Sequence, residues 1–183
     1  MENIKIKDVI SKEYKTKLTE YHSSNKKWGG AVTSKTAEIH KLMILTDSKS
    51  VLDYGAGSSA YLDTMNAYNM DLPYSIHEYE PGREELSGDP PVVDFTVCCD
   101  VLEHVEPAKV DITLQHIANK TRKFAYFTIC LVPSSGTFSD GTNLHLTIHP
   151  ADWWLKKLEA DWEIITNTTT WAHLVLCLKR KSK

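Results

Sequence analysis

The sequence predicts an α/β fold, a three-layer sandwich built on a mainly parallel, twisted sheet. Three observations lead there. Strand-like and helix-like patterns alternate from residue 50 to residue 132, as expected when parallel strands are joined by helical crossovers. Val92–Cys99 is a near-continuous apolar run, the pattern of a central strand buried on both faces. The residues able to do chemistry all fall at predicted strand C-termini, the edge where open α/β sheets bind ligands. The 183 residues suit one domain, read as a helical lid region over 1–46 and an α/β core over 47–183.

Each element has a local reason. Asp8–Tyr21 carries Val9, Ile10, Tyr14, Leu18 and Tyr21 at helical spacing. A polar break follows, ending in Gly29-Gly30, and a second helix starts near Thr33 or Ser34 with Ile39, Leu42, Met43 and Leu45 on it. Ser50–Tyr54 is a short strand running into Gly55-Ala56-Gly57, and Ser58–Tyr68 is the helix after it. Pro73 opens a strand over Tyr74–Tyr79. Val92–Cys99, a helix over Pro107–Lys120 and a strand over Phe124–Val132 come next. A loop rich in Ser, Gly, Thr and Asn spans Pro133–Asn143. The tail reads as a helix over Pro150–Ala160 and strands near Trp162–Thr168 and Trp171–Lys179. The Trp153-Trp154 pair should turn one ring inward and leave the other partly exposed.

Composition narrows the function. The 42% hydrophobic and 25% charged content excludes disorder, collagen-like repeats and coiled coil. Lys+Arg number 21 against 24 Asp+Glu, a net charge of −3, so the basic excess typical of nucleic-acid binders is absent. Lys26-Lys27 and Lys179-Arg180-Lys181-Lys183 are short basic stretches, read as solubilising. No apolar run reaches the ~20 residues of a membrane span. The opening residues show no secretory signal, so the expected location is cytoplasmic. Cys98, Cys99, Cys130 and Cys177 form no CxxC pair, which weakens zinc and redox readings. Adjacent Cys98 and Cys99 should point to opposite sheet faces.

The richest segment is Val51-Leu52-Asp53-Tyr54-Gly55-Ala56-Gly57-Ser58-Ser59-Ala60. Gly55 and Gly57 permit a tight strand-to-helix turn and close approach of a ligand to the backbone. By itself G-A-G-S-S-A also fits the dinucleotide fingerprint of NAD enzymes. Asp53 argues otherwise: a carboxylate at the ligand edge repels a pyrophosphate and attracts an ammonium group. At the second strand, Glu80 in Tyr79-Glu80-Pro81 is placed to accept from two ribose hydroxyls, and is preferred to Glu78 for that role. The third segment is Asp94-Phe95-Thr96-Val97-Cys98-Cys99-Asp100-Val101-Leu102-Glu103-His104-Val105.

Together these segments resemble class I S-adenosylmethionine (SAM)-dependent methyltransferases. Asp53-Tyr54-Gly55-Ala56-Gly57 resembles their motif I, D/E-x-G-x-G, with Ser59 where a third glycine often stands. The third segment resembles their D-x-(apolar)3-x-D-V-L-E-H-V stretch. The resemblance implies SAM as cofactor, held by Asp53, Gly55, Ala56, Gly57 and Glu80. By position it adds Cys99, Asp100 and Val101 beside the methyl group. It also implies an N-terminal lid, to which Tyr21, His22, Trp28 and Lys35 would contribute. The Y-H…W-G-G lead-in and N-L-H-L-x-x-x-P-x-x-W-W look like small methyltransferase-domain proteins of bacteriophages. One departure is expected: residues 81–91 are too few for the family's helix and third strand, so that strand should be missing or vestigial. Asp89 is then a candidate for the adenine side.

Methyl transfer needs alignment of two reactants, and a base only if the acceptor must lose a proton. Candidates are His145, on the loop after the fourth strand, and His104. His145 and His149 would share a face of an extended segment, but two ligands are too few, so no metal is expected. The function read is methyl transfer to an O or N acceptor on a small molecule. Alternatives are a nucleic-acid or protein acceptor, or a non-catalytic SAM-binding partner or sensor module.

Overall fold

In the computed structural model, residues 4–24, 28–68 and 72–182 are described. Six strands form one sheet: β1 (Ser50–Tyr54), β2 (Ser75–Tyr79), β3 (Val93–Cys99), β4 (Thr121–Cys130), β5 (Trp162–Thr169) and β6 (His173–Arg180). Their spatial order is β2-β1-β3-β4-β6-β5. The first four are parallel neighbours, β6 runs antiparallel to β4, and β5 antiparallel to β6. The chain leaves β1 for β2 on one side and returns to β3 on the other. That reversal is the crevice-forming point of such sheets.

The helices are α1 (Ile6–Val9), α2 (Lys12–Ser24), α3 (Thr36–Leu45), α4 (Ala60–Ala67), α5 (Val110–Lys120) and α6 (Ala151–Leu158). Strand alternation sorts them into two layers. Val51, Phe95, Val97, Cys99 and Tyr126 pack with Ile39 and Met43 of α3 and Tyr61 and Met65 of α4. Leu52, Tyr54, Cys98 and Phe127 pack on the other face with Leu114 and Ile117 of α5 and Trp154 and Leu158 of α6. Cys98 and Cys99 thus serve opposite cores. A third cluster joins Ile10, Tyr14 and Leu18 to Phe138 and Leu144, seating the N-terminal helices on the loop after β4.

Between β2 and β3 there is only a 3₁₀ turn, Glu84–Leu86. The third strand is missing, as the shortness of 81–91 predicts, and β2 becomes the sheet edge. The N-terminal helical stretch differs in detail: it breaks into α1 and α2, and the second helix is preceded by a 3₁₀ turn, Ala31–Lys35. Among the described residues no helix is long and apolar enough to cross a membrane.

The tryptophans give a stability test. Trp154 is 0% exposed, whereas Trp171 is 86% exposed at the β5–β6 turn. Trp154→Ala should lower unfolding free energy by about 3–5 kcal/mol, while Trp171→Ala should stay within about 0.5 kcal/mol of wild type. Urea unfolding followed by circular dichroism measures both.

Candidate functional site

The C-terminal ends of β1, β2 and β3 and the residues after β4 line one cavity of about 330 Å³. Gly55, Gly57, Glu80, Cys99, Asp100 and Val101 line it, and so do His104 and His145. The structure therefore brings together eight of the ten residues singled out from sequence. Asp53 and Ala56 lie outside that lining.

The glycine turn is shaped by its neighbours. Gly55 has φ +87° and Gly57 φ +51°, left-handed values that glycine adopts without penalty. A Cβ on Gly57 would sit 2.7 Å from Gly29 Cα and 2.9 Å from the Trp28 carbonyl. The backbone of Trp28 and Gly29 rests directly on the backbone of this turn. Ser59, standing for the third glycine, is also left-handed at φ 64°. Arg83 Nη1 donates to Ser59 Oγ at 2.8 Å and to the Gly57 carbonyl at 2.9 Å, which holds that conformation. Nothing in the local pattern around Arg83 signals this role.

The end of β2 takes up the turn's donors. Gly55 N–H and Ala56 N–H both donate to the Tyr79 carbonyl, at 2.7 and 3.0 Å. Gly57 N–H donates to Glu80 Oε2 at 3.1 Å, and Gly82 N–H to Glu80 Oε1 at 2.9 Å. A dinucleotide site offers such N–H groups to a pyrophosphate. Here they are already engaged, and a carboxylate stands beside them. This weighs against the NAD reading. His22 Nε2 lies 3.4 Å from Glu80 Oε1, close enough for an ion pair when protonated but off the line of a hydrogen bond.

Asp53 lies opposite Glu78 in the β1–β2 register and is 2% exposed. Its Oδ2 has no hydrogen-bond partner. Burial first, then the charges of Glu78 and Glu80, push its carboxyl up to about 8. A buried acid so placed gains from a cation nearby. Asp100 follows β3 with φ 54° and accepts from Thr128 Oγ1 at 2.7 Å.

Two histidines close the other end. His104 Nδ1 is 2.8 Å from the Leu144 carbonyl, and His145 Nδ1 is 2.7 Å from the Val132 carbonyl. Carbonyls only accept, so both Nδ1 atoms carry a proton, and in a neutral ring the lone pair is then on Nε2. Burial, then His145, pushes His104 down to about 4, so it is neutral at physiological pH. The rings meet edge to face at 4.7 Å, and Trp28 packs its edge on His104 at 5.2 Å. Asn143 fixes the loop by accepting from the Ser134 and His145 N–H groups at 3.1 and 2.9 Å.

Other expectations land elsewhere. Asp89 does not line the cavity. It pairs with His116 at 3.3 Å and Lys120 at 2.7 Å. Val9 and Ile10 at the end of the first helix and Thr113 of α5 are among the cavity's walls. His149 stacks on Trp153 at 3.8 Å, apart from the His145 pair, and the Trp154 ring turns inward. Lys26, Lys27 and Lys183 lie outside the described residues. Arg180 is buried against Asp161 at 3.2 Å, a structural contact, and Lys179 lies 3.9 Å from Glu163. Tyr14, Thr113 and Arg83 were missed by sequence reasoning. The first two are helical positions indistinguishable from core.

This strand order, with a crevice at its reversal and an antiparallel pair at one side, is the fold of class I SAM-dependent methyltransferases. No protein-family model and no curated protein matches the sequence. Solved structures match the fold. A 1,6-didemethyltoxoflavin-N1-methyltransferase from Burkholderia thailandensis, with 1,6-didemethyltoxoflavin and S-adenosylhomocysteine bound, covers 93% of this chain and 90% of its own at TM-score 0.62 and 16% identity. A magnesium protoporphyrin IX methyltransferase from Synechocystis PCC 6803, with SAM bound, covers 92% and 97% at TM-score 0.60 and 12% identity. An O-methyltransferase family protein from Burkholderia thailandensis covers 90% of this chain and 62% of that one at TM-score 0.56 and 12% identity.

The buried acid has a stability signature. Asp53 ionises near its ordinary 3.8 when unfolded but near 8 when folded. Between those values the unfolded chain binds fewer protons, so stability falls as pH rises. His104 and His116, both held below their ordinary value, act the opposite way, but only below about pH 6.5. From pH 6.5 to 8 the urea midpoint should therefore fall in wild type, and Asp53→Asn should reduce that slope, leaving the part due to Glu103, which burial also pushes up to about 8.

Proposed function

We propose that the protein is a SAM-dependent methyltransferase acting on an O or N acceptor of a small molecule. The observation that carries this is the single cavity in which the glycine turn and Glu80 stand at one side and the His104–His145 pair at the other. The bound cofactors in two of the structural neighbours support it.

The residues fit that cofactor. Glu80 would accept from the ribose hydroxyls, since each carboxylate oxygen keeps a lone pair beyond its backbone bond. The Asp53 carboxyl, unpartnered behind the turn, would ionise to meet the ammonium of the methionine moiety. Asp100 and Val101 would line the path to the methyl group, with Cys99 on the same wall. When bound, SAM supplies a methyl group activated on a sulfonium. His145 is the group placed to take a proton from the acceptor. His104, with its low pKa, is the weaker base and serves as a hydrogen-bond acceptor that orients the acceptor. Among the described residues the carboxylates that line the cavity are Glu80, Asp100 and Glu106, and no lysine or arginine lines it. That lining suits an uncharged or cationic small acceptor rather than a phosphate backbone.

Calorimetric titration tests the cofactor. SAM should bind in the micromolar range and NAD should not. Repeating the titration in buffers of different ionisation enthalpy should show proton release at pH 7, and Asp53→Asn should remove that release and weaken binding. NAD binding, or no SAM binding at all, overturns the reading.

A further inference from the structure

Glu103, Cys130 and His145 converge beside the cavity. They come from the 3₁₀ turn Leu102–His104, the last residue of β4, and the loop beyond it. A carboxylate oxygen, the thiol sulfur and a ring nitrogen all lie within 4.8 Å of one another. Glu103 is 0% exposed. Its Oε1 accepts from Cys130 N–H at 3.0 Å, while its Oε2 has no partner. An unpaired buried polar atom is costly to the fold and points to a missing partner.

We propose that these three side chains form a binding site for a zinc-type divalent ion. Thiolate, imidazole and carboxylate are the donors zinc prefers, and the sulfur disfavours magnesium and calcium, which take oxygen ligands. The ion supplies what Glu103 Oε2 lacks. Binding displaces the protons of the Cys130 thiol and the Glu103 carboxyl. The Val132 carbonyl, 2.7 Å from His145 Nδ1, holds that ring so that its other nitrogen is the one free to ligate. His149 takes no part.

Three protein donors leave a fourth tetrahedral position open, the arrangement of catalytic rather than structural zinc. His145 also lines the cavity, so an acceptor hydroxyl reaching that position would be acidified by the ion. His145 then acts as ligand rather than base. This role rests on the methyltransferase reading; the binding site does not.

The test uses the full chain, freed of metal by chelation and titrated with Co²⁺ as a spectroscopic stand-in. A sulfur-to-cobalt charge-transfer band and tetrahedral visible bands should appear, and Zn²⁺ should bleach them. Cys130→Ser should abolish the charge-transfer band, and Cys177→Ser, outside the cluster, should keep it. Glu103→Gln should weaken binding by about tenfold or more, and His145→Asn gives a second ligand variant should Cys130→Ser fail to fold. No band in wild type, or a band that survives both Cys130→Ser and His145→Asn, overturns the site. Calorimetry with SAM on the same samples reads the cofactor site separately, so either reading can fail alone.

Discussion

The end of β2 governs the site. Through the Tyr79 carbonyl and the Glu80 carboxylate it receives the N–H groups of Gly55, Ala56 and Gly57. Those bonds set the left-handed turn after β1, and the turn sets where the lid can rest, because only bare backbone at Gly57 admits Gly29 so closely. With no third strand outside β2, this edge has no sheet neighbour to stiffen it. Arg83 takes part of that work by bonding back to the turn from the short segment that replaces the strand. Loss of a strand has thus been met by a side chain.

Two buried acids give the cavity its chemical bias. Asp53 and Glu103 each keep one oxygen without a partner, and each is held protonated by its surroundings more readily than in water. Such groups are unfavourable in an empty fold. They become favourable when positive charge arrives. They lie under opposite halves of the site: Asp53 behind the glycine turn, Glu103 beneath the histidines. The lone pair of neutral His104 adds an acceptor without adding charge. The cavity therefore favours cations and hydrogen-bond donors over anions.

Much of this was legible in the sequence, for stated reasons. β1 was read at its full span because its apolar pattern stops at a glycine turn. The lost strand was readable because residues 81–91 could not hold it. Glu80, Asp100 and the two histidines come to one cavity because the strand C-termini share one edge. What failed depended on partners far along the chain. Asp89 looked free until α5 supplied His116 and Lys120. Cys130 looked like one more buried thiol, because nothing in its own strand reveals that Glu103 and His145 stand beside it. The walls from Tyr14 and Thr113 follow the same helical spacing as any core residue.

The N-terminal helices carry a further consequence. Ser11 N–H reaches Glu106, 95 residues on; Thr113 reaches the Val9 carbonyl across 104 residues; Lys17 reaches Asp140 across 123. During synthesis the first helices leave the ribosome long before their docking surface exists. They must wait, with Val9, Tyr14 and Leu18 uncovered, until β4 and its loop have emerged. Contacts of such sequence separation form late and slowly. The wall that these helices give the cavity therefore closes only once partners 104 and 123 positions further along the chain have joined them.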